Sequence, residues 1–183
     1  IAGFYAPRSH RIISVEDCLL QPQVFSEILK DCIVFFEKNN VSIYDEETAK
    51  GFIRHVYIRQ GEVSGEIMVC FVVNGKTFTG AKELCLALSS KYEQIKSIVL
   101  NVNTKNDNVI MGNTCITLFG NDTINDEICG IKTKLSPLSF YQVNHYMAQE
   151  LYTLAGKLAN LNGTETVLDL YCGAGLIGLS VAN

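Results

Sequence analysis

Apolar residues recur at helical spacing between Gln21 and Asn39. Val24, Phe25, Ile28, Leu29, Cys32, Phe35 and Phe36 share one broad stripe, with Pro22 near the first turn and Asn39-Asn40 at the end. The period then shortens. Phe52 to Arg59 and Glu66 to Val73 are rich in β-branched and aromatic residues and are joined by the polar link Gln60 to Gly65, which predicts a hairpin. A second helix begins near Thr79 and carries Leu84, Cys85, Leu88 and Tyr92, and Ile95 to Val102 predicts another strand. Arg11 to Val15 reads as a short strand, and Ser42 to Tyr44 as a shorter one. The order β-α-β-β-α-β is that of a ferredoxin-like sandwich. Val109 to Phe119 and Glu127 to Thr133 are expected to add two antiparallel strands.

Pro137 interrupts regular structure. Beyond it, Asn144 is placed as the N-cap of a helix running to Asn160, with Met147, Leu151, Leu154, Ala155 and Leu158 expected on its buried face. Asn162-Gly163 ends that helix. Val167, Leu168 and Leu170 then form an almost wholly apolar run, the pattern of a strand buried on both faces of a parallel sheet. Cys172-Gly173-Ala174-Gly175 follows, and helical spacing resumes at Leu176, Ile177, Leu179 and Val181. The predicted class is therefore α/β, with two parts. Residues 1–136 form a central α+β domain, and 137–183 supply a linking helix and the first βα unit of a nucleotide-binding sheet.

The glycine turn carries the chemistry. Backbone N–H groups at the start of a helix are free to meet a ligand, and glycines let the ligand come close. Gly173, Gly175 and Gly178 spell G-x-G-x-x-G, the dinucleotide fingerprint, but that match is weak alone. Asp169 argues against it, because a carboxylate just before the turn would repel a pyrophosphate. The same carboxylate would favour the ammonium and sulfonium of S-adenosylmethionine. A methyl donor ranks first, a ligand-free turn second and a dinucleotide third.

With these residues in view, the segment DLYCGAG (Asp169 to Gly175) resembles the cofactor motif of the RNA uracil-5-methyltransferases, which methylate C5 of uracil in transfer and ribosomal RNA. SFYQVN, from Ser139 to Asn144, is similar to that family's S-F-x-Q-x-N motif, and GFYAPRSHRIISVEDCLLQ resembles the segment holding its last iron–sulfur cysteine. The resemblance implies a Rossmann-like methyltransferase domain and S-adenosylmethionine as cofactor. It implies RNA as partner, with ribosomal RNA ahead of transfer RNA.

By the same resemblance, Phe140 stacks on a uracil taken out of the base stack, and Gln142 contacts that uracil or the methyl donor. Asp169, Tyr171, Gly173 and Gly175 complete the donor site. Leu176 departs from several relatives, which carry a polar residue there. The family's reaction passes through a cysteine thiolate added to C6 of uracil, followed by proton removal from C5. Its nucleophile and base are expected beyond residue 183. Cys172 is read instead as a small side chain packed against the glycines, so no catalytic residue is assigned within the chain. Cys18 matches the fourth ligand of a [4Fe–4S] cluster, whose other three ligands would precede Ile1. The chain is accordingly expected to be a fragment, inactive alone and prone to self-association. A non-catalytic RNA- or protein-binding α/β module ending in a glycine turn is the alternative.

Composition narrows the picture little further. Of 183 residues, 48% are hydrophobic and 19% charged, an ordinary globular balance, and no apolar run approaches the ~20 residues of a membrane span. The net charge of −4 does not favour tight RNA binding by this stretch unaided. Seven scattered cysteines with no C-x-x-C pair point to a reduced, cytoplasmic protein, and the three histidines show no zinc-ligand spacing. Arg54, His55 and Arg59 alternate with apolar residues on the first hairpin strand; a solvated sheet face is the default reading, and an RNA path the sharper one.

Overall fold

The computed structural model describes residues 2–182. Strand β1 (Gly3–Tyr5) pairs with β2 (Ile12–Ser14) and helix α1 (Gln23–Lys38) follows. Strands β3 (Ile53–Gln60) and β4 (Ile67–Val73), helix α2 (Ala81–Lys91), β5 (Ile95–Val102) and β6 (Thr114–Gly120) complete the larger body. The rest comprises β7 (Ile124–Ile128), β8 (Ile131–Leu135), α3 (His145–Ala159) and α4 (Leu176–Ser180). The class is α/β, as expected.

Its centre is a mixed four-stranded sheet of order β3-β4-β5-β6. β3 and β4 are antiparallel, with Ile58 opposite Val69. β4 and β5 are parallel, joined through α2, with Cys70 opposite Val99. All seven residues of β4 (IMVCFVV) are buried, as a continuous apolar run requires. The pleat divides them. Ile67, Val69, Phe71 and Val73 meet Ile28, Cys32 and Phe36 of α1 and Leu84, Cys85 and Leu88 of α2. On the other face, Met68 packs with Ile124 and Leu135 of the β7–β8 hairpin. The rings of Phe36 and Phe71 meet edge-on at 5.8 Å, the geometry aromatic quadrupoles prefer.

Buried amides close the long β5–β6 connection. Asn101 donates to the Gly112 carbonyl at 2.8 Å and accepts from the Gly112 N–H at 2.6 Å. Asn103 donates to the carbonyls of Val109 and Ile110. The predicted strand at Val109 consequently begins only at Thr114.

Several expectations need correction. The strand near Arg11 to Val15 forms, but it pairs with β1 in a separate ribbon; the remaining edge of β5 is taken by β6. Ser42 to Tyr44 contributes only an isolated bridge, Ile43 to Ile53. The run from Glu127 to Thr133 is broken into β7 and β8 by Cys129-Gly130, both with positive φ (51° and 78°), the two-residue turn that suits a tight hairpin. No strand forms over Val167 to Leu170, because no described segment lies alongside to take its backbone hydrogen bonds. The helix expected at Asn144 is found with its cap: Asn144 Oδ1 accepts from the Met147 N–H at 3.0 Å. Its buried residues, however, are His145, Ala148 and Tyr152, whereas Met147, Leu151, Leu154 and Leu158 are exposed.

Candidate functional site

Two segments singled out by their sequence flank α3: Ser139 to Asn144 before it and Asp169 to Leu176 after it. The first crosses from the end of β8 to the Asn144 cap, and long-range polar bonds shape it. Arg59 of β3 donates through Nη1 to the Ser136 carbonyl and through Nη2 to the Ser139 carbonyl, both at 2.7 Å. Ser139 Oγ accepts from the Ser136 N–H and lies 2.9 Å from Ser136 Oγ, closing a small turn around Pro137. Tyr141 donates to Asp126 Oδ2 at 2.8 Å, while Asp126 Oδ1 accepts from the Val63 N–H at 2.9 Å.

The resulting alternation is sharp. Ser139 and Tyr141 are held from below, and Phe140 between them is 77% exposed. Gln142 and Val143 are exposed as well. Phe140 packs in no core among the described residues. Burial, followed by the bond to the Asp126 carboxylate, pushes the Tyr141 phenol well above its ordinary value, so it stays a donor at any working pH. His145 is buried beside this group, with Nδ1 3.9 Å from Asp126 Oδ2 and no hydrogen-bond partner.

In the second segment Gly173 and Gly175 have φ of 57° and 72°, the left-handed region that glycine enters freely. Tyr171 also has a positive φ (60°) and projects fully into solvent, not along a buried strand. Asp169 Oδ2 accepts from the Gly178 N–H at 3.1 Å, tying the approach to the turn to the helix after it. A Cβ on Gly173 would meet nothing within 4 Å, so the backbone there is open to solvent. Cys172 lies with its Sγ 3.7 Å from the Gly173 carbonyl, but the side chain is exposed and not buried in packing, a correction.

Leu176, the first residue of α4, is buried with Ile128, Ala148 and Tyr152, and Tyr141 packs on the same cluster. That apolar contact explains why a leucine stands there, and it gathers the Tyr141 segment and the glycine turn around one small core. The structure thus brings Phe140, Gln142 and the turn onto elements that share a support. Asp126 and Tyr141 were missed in the sequence, and Arg59, read there as part of a solvated face or an RNA path, instead grips two backbone carbonyls. One signal was available: Asp126 is in phase with the buried Ile124 and Ile128 of β7, a placement a carboxylate takes only when it is bonded.

Elsewhere, Arg54 donates to the carbonyls of Asn103 and Lys105 and lies 4.3 Å from the centroid of the Tyr44 ring. With Arg59 also bound to carbonyls, the β3 arginines are structural clamps. Cys18 is half-buried, and among the described residues no group of three or more His, Cys, Asp or Glu is placed to hold a metal ion. Cys18 alone among the described residues does not make an iron–sulfur site. Among the described residues no helix is long and apolar enough to cross a membrane.

No family model matches the chain. It is 42% identical over 182 residues, all of its own length, to a protein of Staphylococcus epidermidis described as an uncharacterized RNA methyltransferase. Proteins of Staphylococcus aureus and Bacillus cereus with the same description match at 41%. The chain spans about 40% of the length of these relatives. Among solved structures, a Pyrococcus abyssi tRNA (uracil-54, C5)-methyltransferase in complex with S-adenosyl-L-homocysteine matches with a TM-score of 0.77 at 25% identity. That match covers 94% of this chain and 41% of the other. Along its whole length, then, the chain is homologous to a stretch of RNA methyltransferases, as its motifs imply. Its fold is shared with a uracil-C5 enzyme of that class.

Proposed function

We propose that the chain contributes to an S-adenosylmethionine-dependent methyltransferase acting on C5 of uridine in RNA. The observation that carries this is the fold match over nearly the whole chain to a tRNA uracil-C5 enzyme bound to the demethylated donor. The residues fit a donor at the turn. The backbone at Gly173 is open to solvent, and Asp169 beside the turn offers a carboxylate to a cationic ligand.

In this reading S-adenosylmethionine, when bound, supplies the methyl group, and Asp169, Tyr171, Gly173, Gly175 and Gln142 hold it. Phe140 offers its exposed ring to the face of the extruded uracil, replacing part of the stacking lost on leaving the helix. The Gln142 amide offers a donor and an acceptor to the uracil edge or to the methyl donor. The nucleophilic cysteine that activates C5, and the base that takes its proton, belong to other parts of the enzyme. The same reading keeps the division of the chain into 1–136 and 137–183, with the β7–β8 hairpin of the first part packing on Met68 of the sheet and, through Ile128, on α3 and α4 of the second.

The test is methyl transfer by the complete protein from tritiated donor to unmodified ribosomal RNA first and transfer RNA second, with the product mapped by mass spectrometry. 5-Methyluridine is the expected product. Methylation at another atom, or of neither RNA, would overturn the assignment.

A further inference from the structure

We infer that Arg59 and the Asp126–Tyr141 pair are positioning residues for the RNA base: they fix the backbone on both sides of Phe140 so that its ring stands out in one orientation. This rests on the reading of Phe140 as the base-facing ring.

The geometry supports it from both flanks. Before Phe140, one guanidinium holds two carbonyls, Ser136 and Ser139, each at 2.7 Å, from a strand 77 or more residues away in sequence. Arginine's rigid fork suits such a two-point grip better than a lysine ammonium. The root of that arginine is fixed in the sheet, where Arg59 lies opposite Met68. After Phe140, the Tyr141 hydroxyl is bound to a carboxylate that is itself 3% exposed and anchored to the Val63 amide. Satisfying a buried carboxylate with two donors is costly to undo, so the anchor is stiff. Phe140 itself packs on neither hydrophobic cluster of this region. A ring left 77% exposed on an unconstrained loop would lose rotational freedom on stacking; one held at both neighbours has less to lose.

The test uses the complete protein and RNA methyl transfer. Tyr141→Phe keeps the ring in its cluster and removes only the hydroxyl. It is expected to lower kcat/KM for RNA about tenfold, with donor affinity unchanged, since small misplacements of a reacting group reach ~10²-fold. Arg59→Gln should behave likewise, and Arg59→Lys should recover part of the loss. The deciding measurement combines each change with Phe140→Ala. A positioning residue acts through the ring, so its effect should vanish once the ring is gone; an effect of stability alone would persist and add. Full additivity, or Tyr141→Phe with wild-type kinetics, would overturn the inference while leaving the methyltransferase reading intact. A wild-type protein that makes no 5-methyluridine would overturn that reading and this inference with it. A Phe140→Ala enzyme of normal activity would overturn the inference and the stacking role of Phe140, leaving the assignment of the reaction intact.

Discussion

The Gly178 amide donates to Asp169 Oδ2 at 3.1 Å, so the carboxylate offered to the methyl donor also ties the approach to the glycine turn to α4. A Cβ on Gly178 would stand 3.0 Å from that oxygen, which explains why the third glycine is small. Asp169→Asn keeps an acceptor for the amide and loses only the charge. Donor dissociation by calorimetry is expected to weaken about tenfold, or about 1.4 kcal/mol, with the melting temperature of the complete protein little changed. Unchanged affinity would remove Asp169 from the donor site.

Gln142 is exposed, in the segment that follows the anchored Tyr141. Gln142→Ala should therefore lower methyl transfer at least about tenfold while altering stability by no more than about 0.5 kcal/mol, the usual range for a surface change. A large fall in melting temperature would show instead that the amide serves packing.

Burial pushes the thiols of Cys32 and Cys70 up to about 12 and that of Cys85 to about 11, from an ordinary 9.0. The folded values lie above the unfolded ones. Their stabilising effect is therefore complete below pH 9.0 and is lost as pH rises toward about 12. Denaturant midpoints should fall across that window. At about pH 8, thiol labelling read by mass spectrometry should reach the exposed Cys115 and Cys172 and spare Cys32, Cys70 and Cys85 until the chain unfolds. Early labelling of Cys70 would contradict the burial of β4.

Leu151, Leu154 and Leu158 of α3 are exposed, as are Val167, Leu168 and Leu170. Such a concentration of apolar surface favours association. The 183-residue chain expressed alone is expected to sediment as concentration-dependent oligomers, to bind the donor weakly and to transfer no methyl group. Leu158→Lys with Leu168→Lys should shift it toward monomer. A monodisperse, active isolated chain would contradict all of this.

Local patterns in the sequence determined the elements whose stability is local or whose burial is complete. The stripe of α1, the continuous apolar run of β4, the hairpin joining β3 to β4 and the Asn144 cap all follow from spacing along a few turns or pleats. The glycine turn and SFYQVN were legible for the same reason, being contiguous. Tertiary structure decided whatever depended on a distant partner. β2 lies against β1 and not in the sheet, where β4 and β5 pair directly and leave no place between them for another strand. The face of α3 that is buried is set by Ile128 and Leu176, which touch Ala148 and Tyr152, and not by the larger leucine stripe. Arg59 gripping Ser136 and Ser139, and Asp126 gripping Tyr141, join positions with no periodic relation. Hydrogen bonds of that kind leave no period in the chain, so only the folded arrangement shows that Phe140 stands between two fixed neighbours.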